Sequence, residues 1–400
     1  MANSNESDVL IIGGGICGIA TAFQLAQLGE RVTLLERGEI AGEASGINAG
    51  GLGGFGWGNY PDLQSYLTAG SFEIFKSLQL DMGYDIEFHA AGGLQAIHTA
   101  EQWDYTRDRV FTAQAGGYHA DLLTTREARA IEPEVSESLA GFMFLTKRGR
   151  ANPTKATVAF GEAAAFFGAD IKTSHEVTAI NQQQDGSWQA RTRHGEFRAN
   201  VLALAVGAWS RPVGEMLDIE IPIAPVKRQR WATEPVTPRI FHLSGSMESP
   251  SDWSRQPADA VYPPELTHRG DTRITRHLYG GQTRNGEIIF GGDRQMLGYD
   301  YIPNTAGIQV NRGHAAEVFP MLSRLPISRT WAGIMPFSMD GMPIIGKIPQ
   351  FDNLYVVTGL ASSGFGRGPM SGKLLADYIH TGHPSPVLEE ADPARCVVFK

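Results

Sequence analysis

Between Asp8 and Glu36 the spacing of apolar residues changes twice. Asp8 to Ile12 (DVLII) is a short β-rich run, Ile16 to Leu28 carries Ile16, Ile19, Ala20, Phe23 and Ala26 at helical spacing, and Val32 to Leu35 is a second apolar strand. The pattern predicts one βαβ unit. Pro61 to Met82 reads as a helix, Tyr84 to Ile97 as strand-like runs broken by Gly92 and Gly93, and Thr124 to Ile131 as a helix ending before Pro133. A longer helix, Asn152 to Phe167, is entered at Pro153 and followed by Gly168. His175 to Asn181, Ser187 to Arg193 and Phe197 to Val206 form a meander with turns at Asp185-Gly186 and His194-Gly195. Pro222 to Pro238 reads as irregular, and Arg239 to Leu266 as long surface loops. Ile274 to Thr283 and Glu287 to Gly292 then predict a hairpin about Asn285-Gly286, with Arg273, Thr275, His277, Tyr279 and Gly281 on one strand face. Gln309 to Phe319 is a helix stopped by Pro320. Leu354 to Gly359 is an apolar strand, Ala361 to Gly366 a small-residue turn, Pro369 to Ile379 a helix, and Pro384 to Lys400 a peripheral tail.

The βαβ unit places Gly13, Gly15 and Gly18 between strand and helix. Gly13 allows the tight turn, Gly15 lets the backbone approach a pyrophosphate, and Gly18 lets the helix lie close on the sheet. The helix N-terminus favours an anion, and Glu36, followed by Arg37, stands where a carboxylate accepts hydrogen bonds from a ribose diol. These features point to a dinucleotide and leave FAD and NAD both open.

Composition narrows the partners. The 400 residues are 42% hydrophobic, enough for a sizeable core and more than one small domain needs. With a formal net charge of −9 and no Lys/Arg-rich run, a nucleic-acid partner has little support. Cys17 and Cys396 have no metal-type spacing, and a disulfide framework is not expected. Residues Met1 to Ser7 lack the pattern of a signal peptide, and no apolar run is long enough to span a bilayer, so the expectation is a cytoplasmic protein acting on a small molecule.

Two further stretches repay attention. The loop GEASGINAGGLGGFGWG, Gly42 to Gly58, is more apolar than a solvated linker and is expected to wrap the ligand. Leu354 to Ile379 repeats the opening logic of strand, glycine turn and helix, so its helix end can face a second part of the same ligand. Taken in order, the opening fingerprint, ASGINAGG, ALAVGAWS, WAGIMPFSMDGMPIIG and GLASSGFGRGPMSG make the chain resemble the FAD-dependent D-amino-acid oxidase and glycine oxidase superfamily over nearly its whole length.

That resemblance implies a Rossmann-like FAD-binding domain of the glutathione-reductase type, α/β, joined to an α+β substrate domain with an antiparallel sheet. The expected FAD segments are 1–60, 140–225 and 325–382, with 61–139 and 226–324 building the substrate domain and 383–400 a tail. It also implies that Gly13, Gly15 and Gly18 hold the pyrophosphate, Glu36 the ribose, and Val177 the adenine edge through its backbone. Ser45, Gly50 and Gly51 fall on the flavin side, and Gly207, Gly333, Asp340, Gly364, Phe365, Gly366 and Arg367 complete the pocket. The implied chemistry is hydride removal from a carbon bearing an amine, giving an imine that water hydrolyses, with oxygen or a quinone- or dye-type acceptor reoxidising the flavin. A flavoprotein subunit that relays electrons to a partner is the alternative.

Two departures from the family bear on chemistry. No cysteine stands near Gly333, so non-covalent FAD is expected. Where relatives often place a carboxylate-binding arginine two residues after a WAG-like glycine, Trp331-Ala332-Gly333 leads here to Ile334 and Met335, whose thioether cannot pair with a carboxylate. A carboxylate is then held elsewhere, with Arg276, His277, Tyr279, Arg284 and Arg367 as candidates, or the substrate is an amine lacking that group. His277, Tyr279 and Arg367 are the candidate catalytic residues, and Trp57, Trp331 and Met335 the candidate pocket walls.

Overall fold

The computed structural model describes residues 5–54, 62–248, 268–269, 272–273 and 276–400. Trp57, Arg273 and Thr275, named above, lie outside the residues whose side chains are described. Two eight-stranded sheets organise the chain.

In the first sheet the strands lie in the order Ile344–Lys347, Leu354–Thr358, Gly195–Leu204, Glu6–Ile12, Val32–Leu35 and Asp170–Lys172, with the meander strands Trp188–Thr192 and Val177–Gln182 added through Gly195–Leu204. Glu6–Ile12 pairs in parallel on both sides, Ile12 opposite Leu35 on one and Leu204 on the other. Both faces of this sheet are covered, which is why its central strands are apolar at consecutive positions rather than alternate ones. One face packs on the helices Ile16–Gln27, Leu63–Leu80, Pro153–Phe166 and Gly364–Thr381 through Ile11, Ile19, Phe75, Phe160 and Leu375. The other holds Leu10, Trp188, Leu204 and Val356.

The second sheet runs Ile327–Ser338, Ile223–Thr233, Ile288–Gln295, Tyr279–Gln282, Leu243–Ser246, Gly93–Ile97, Gly141–Leu145 and Ala120–Leu123. All its pairings are antiparallel except that of Leu243–Ser246 with Gly93–Ile97. Gly141–Leu145 and Ile327–Ser338 therefore hydrogen-bond into this sheet, although the sequence grouped both ranges with the cofactor layer. The helix Thr305–Val318 covers its outer face through Ile308, Ala315 and Val318, packed with Trp231, Phe290 and Phe319.

Other expectations also needed correction. Pro222 to Pro238 is not irregular; it contains the longest inner strand of the second sheet, and Leu243–Ser246, taken for surface loop, is a buried strand of the same sheet, between Tyr279–Gln282 and Gly93–Ile97. Of the expected strand Ile274 to Thr283, residues 276–278 are not strand and the described part is Tyr279–Gln282, while Arg273 belongs to a separate short strand, Thr272–Arg273, and Thr275 lies outside the described residues. Ala100–Ala115 is a helix that the apolar pattern hides, since Gln102 and Thr106 share its buried side with Val110 and Ala113. The last helix starts at Gly364, with Pro369 inside it and Met370 N donating to Ser71 Oγ at 3.0 Å. The tail is not peripheral: Leu388 and Ala391 are buried, and Val398–Phe399 pairs with Ile219–Glu220. Among the described residues no helix is long and apolar enough to cross a membrane.

Helix ends follow local chemistry. Thr124 Oγ1 accepts from Glu127 N at 3.3 Å while Glu127 Oε2 accepts from Thr124 N at 2.8 Å, a reciprocal capping box. Thr124→Ala is expected to lower stability by about 1 kcal/mol, measured as a lower urea midpoint with an unchanged denaturant slope.

Candidate functional site

A cavity of about 510 Å³ lies between the sheets, and residues from both line it. At one end the strand Glu6–Ile12 turns at Gly13, where φ is +112°, into the helix Ile16–Gln27. No side chain caps that helix through its N-cap Gly15; instead Ser45 Oγ accepts from Ile16 N at 2.9 Å. Glu36 Oε2 accepts from Gly14 N at 2.6 Å and Oε1 from Gly38 N at 2.7 Å, which fixes the carboxylate at the cavity wall. Gly18 does not line the cavity. A Cβ there would stand 2.0 Å from Gly13 O, so its bare Cα is what lets helix and turn meet.

Val177 and Gly207 also line this end, as does Trp209, which the sequence reading missed. The Arg37 guanidinium lies 3.8 Å from the Trp209 ring centroid, and Tyr299 stacks on Trp209 at 5.5 Å. Tyr299 Oη donates to Ala208 O at 3.0 Å, and Tyr301 Oη to Glu43 Oε2 at 2.8 Å, so the segment after the strand Ile288–Gln295 braces this end of the cavity. Only the ring pairing in three dimensions makes that arrangement visible.

The second strand-turn-helix unit supplies Gly364, Phe365, Gly366 and Arg367 to the cavity wall. No side chain caps the helix Gly364–Thr381 at Ser363, leaving its N-terminus to a ligand. Arg367 is buried; its Nε donates to Thr68 Oγ1 at 3.1 Å, and burial pulls its pKa down to about 10, which still leaves it charged at neutral pH. The Cys17 thiol also lines the cavity, and burial pushes its pKa up to about 12. It is therefore a neutral thiol rather than a nucleophile.

Between these ends the second sheet presents a row of polar groups. Gly333 lies opposite Arg228, Trp331 opposite Arg230 and Met335 opposite Val226 on the paired strands Ile327–Ser338 and Ile223–Thr233. Arg228, Arg230, Gly333 and Met335 line the cavity, joined by Arg148, His277 and Tyr279. Arg228 Nη2 lies 3.2 Å from His277 Nε2, and His277 Nδ1 3.5 Å from Glu248 Oε2. A guanidinium only donates, so Nε2 accepts and the imidazole proton sits on Nδ1, toward Glu248. Burial, the largest influence on His277, lowers its pKa despite the Glu248 hydrogen bond. Tyr279 fills the space over Gly51, since a Cβ on Gly51 would overlap its Oη, and Arg148 stands 5.4 Å from its ring centroid.

Several expected site residues are placed otherwise. Trp331 does not line the cavity; its Nε1 donates to Ile47 O at 2.8 Å, and Arg329 covers its ring at 4.3 Å. Asp340 pairs with Arg395 at 2.8 Å near the surface and does not reach the cavity. Gly50 braces the loop behind the wall, with φ at +71° and its N–H bound to Asn48 Oδ1 at 2.7 Å. Of the carboxylate candidates, Arg276 pairs with Glu317 at 2.8 Å and Arg284 with Asp85 at 2.9 Å, both away from the cavity. Arg228 and Arg230 were missed. Their alternation with Lys227, Gln229 and Trp231 is the signal that could have found them.

The donors fit a long dinucleotide. Two helix N-termini whose own N-cap residues make no side-chain bond, the ribose-type carboxylate and the bare Gly15 face one continuous cavity. A family described as FAD dependent oxidoreductase matches residues 8–378. Glycine oxidase of Pseudomonas aeruginosa is 27% identical over 94% of this chain and 95% of its own length. Sarcosine oxidase subunit beta of Rhizobium meliloti is 30% identical over 94% of this chain and 85% of its own length. The mitochondrial dimethylglycine dehydrogenase of Mus musculus is 26% identical over 98% of this chain, which spans only 44% of that longer protein. The crystal structure of glycine oxidase from Geobacillus kaustophilus superposes with a TM-score of 0.84 at 24% identity, covering 98% of this chain and 99% of that one, a likeness of fold.

Proposed function

Because this chain belongs to the FAD dependent oxidoreductase family, we propose that it oxidises the C–N bond of an amino acid or N-substituted amino acid. The observation that carries this reading is the buried pair Arg228 and Arg230 beside Gly333 and Met335 in the cavity wall. The arginine expected two residues after Gly333 is absent, and its charge is supplied from the neighbouring strand.

Gly13, Gly15, Glu36, Ser45, Val177, Gly207 and the first turn at Gly364 would hold FAD, with Gly18 setting the helix that carries its site. FAD when bound supplies the two-electron acceptor for the oxidation. The chain's own contribution is positional and electrostatic. Arg228 and Arg230 supply the positive charge that draws in a substrate carboxylate, and Tyr279 wedged over Gly51 limits where the amine-bearing carbon can lie. Burial lowers Arg228 to about 10 and, together with Arg228's own charge, Arg230 to about 9, so both remain cationic at pH 7. Two cations disfavour an ammonium beside them, and the substrate reacts as the neutral amine without a dedicated base. His277 works through Arg228, which occupies its Nε2. The substrate loses a hydride equivalent from carbon and a proton from nitrogen, and water hydrolyses the resulting imine.

The purified protein is expected to be yellow and to bleach anaerobically with an amino acid; a protein that takes up FAD yet bleaches with no amine or amino acid would sink this reading. Acid precipitation is expected to release intact FAD into the supernatant, because the one cavity-lining thiol among the described residues is held neutral. Flavin remaining in the washed pellet would contradict non-covalent binding. The 30% identity to a sarcosine oxidase subunit favours a second reading, in which this chain passes electrons to a partner chain or quinone. Turnover with an artificial dye but not with oxygen supports it.

A further inference from the structure

The charges lining the middle of the cavity do not balance. Arg148, Arg228 and Arg230 all face it, each less than a tenth exposed. Among the described lining residues the carboxylates are Glu36, Glu43, Glu176 and Glu248. Glu36 is held by Gly14 and Gly38, Glu43 pairs with Arg37, and Glu176 adjoins Val177 at the nucleotide end. Among these carboxylates Glu248 alone is left beside the three guanidinium groups, and it reaches one of them, Arg228, through His277, whose lowered pKa favours the neutral ring. Arg367 stands apart on Thr68, in the field of Asp62.

Among the described lining residues, three buried cations against one anion leave a surplus of two. Burying an uncompensated guanidinium costs several kcal/mol, so an arrangement of this kind is stable chiefly when a ligand supplies the missing charge. A substrate with one carboxylate and a neutral amine offsets only one of the two. Resting on the reading that the cavity oxidises an amino acid, we propose that the substrate carries two carboxylates: an acidic amino acid or an N-carboxyalkyl amino acid. One carboxylate meets Arg228, oriented by His277 and Glu248, and the other meets Arg230 and Arg148 on the Tyr279 side. Arg230 Nη1 reaches the Tyr279 carbonyl O at 3.4 Å and Arg148 lies 5.4 Å from the Tyr279 ring centroid, so both groups border Tyr279, while Arg228 is held toward His277. Guanidinium groups suit this task because each grips a carboxylate through two parallel hydrogen bonds.

The test uses the FAD-loaded full chain. Flavin absorbance is followed during titration with malonate, succinate and glutarate, and with acetate, propionate and butyrate. In parallel, aspartate, glutamate, iminodiacetate, glycine, alanine and sarcosine are scored for anaerobic bleaching. At least one dicarboxylate is expected to bind about 30-fold more tightly than its monocarboxylate of equal length. Arg230→Gln is expected to shrink that ratio to about threefold, and Arg230→Lys to keep an intermediate value. Equal affinity for the two series in the native protein overturns the proposal, whether or not any amine bleaches the flavin. Bleaching by monocarboxylic amino acids alongside equal affinity leaves amino-acid oxidation standing alone. A dicarboxylate preference without bleaching by any amine overturns the oxidation reading and retains the two-carboxylate site. If Arg230→Gln does not fold, Arg148→Gln takes its place, and the native ligand series decides independently.

Discussion

Gly18→Ala protein is expected to purify without flavin colour and to rebind FAD about 100-fold more weakly than the native chain. Gly18 lies on the first turns of the helix Ile16–Gln27, where alanine is normally the better helix former. Here its Cβ would meet Gly13 O at 2.0 Å and Ala205 Cβ at 3.0 Å. The nearest atom is backbone, which cannot rotate away, so the helix must move off the turn. Overpacking of this kind costs about 1–3 kcal/mol, and roughly 2.7 kcal/mol corresponds to a hundredfold change in affinity. The loss falls on binding because the displaced atoms are the N–H groups offered to the ligand. Gly313→Ala provides the contrast. Gly313 also lies inside a helix, Thr305–Val318, but nothing stands within 4 Å of its missing Cβ. That change is expected to raise stability by about 0.5–1 kcal/mol with FAD binding intact. The ratio of flavin to protein absorbance and a urea titration separate the two cases. Full retention of FAD by the Gly18 variant would refute the close-packing role.

How much of this was legible beforehand depends on where polarity and burial agree. The βαβ unit could be read because Val9 to Ile12 and, apart from Thr33, Val32 to Leu35 are buried and apolar together, and the glycines between them have steric tasks that any sequence must meet. The strand Ile223–Thr233 could not be read in the same way. It buries Lys227, Arg228, Gln229 and Arg230 in succession, a run that resembles a solvated loop. Burial is tolerated because Lys227 Nζ pairs with Asp300 at 2.7 Å, Gln229 binds Asp293, and the two arginines face the cavity. Those partners are distant in sequence, so composition alone does not reveal them. Met335 stands where the family's carboxylate-binding arginine was expected, and only strand register brings Arg228 and Arg230 to the same wall, the pair to which the proposed function gives that contact. Asp340 and Trp331 were misplaced for a related reason: a motif fixes residue order, whereas the direction a side chain takes is set by partners such as Arg395 and Ile47 O.

The same strand yields the largest expected stability change. Trp231 is completely buried on the face opposite Arg228 and Arg230, where it packs with Phe290 at 6.0 Å between ring centroids. Its Nε1 donates to Asn311 Oδ1 at 3.0 Å, and Asn311 Nδ2 in turn donates to His277 O at 3.1 Å. Trp231→Ala therefore removes a large aromatic group, leaves a cavity, and strips Asn311 of its donor. Aromatic-to-alanine changes in a closed core cost about 3–5 kcal/mol, and the orphaned acceptor adds about 1 kcal/mol. Loss of Asn311 as an anchor also loosens His277, and through it Arg228. The variant is expected to show a lower thermal midpoint and, at temperatures where it remains folded, a raised KM with a smaller change in kcat. Trp231→Phe restores most of the volume without the N–H, so it should recover most of the stability and less of the KM. Equal recovery of both would mean that packing alone links the outer face of this strand to the arginines on its inner face.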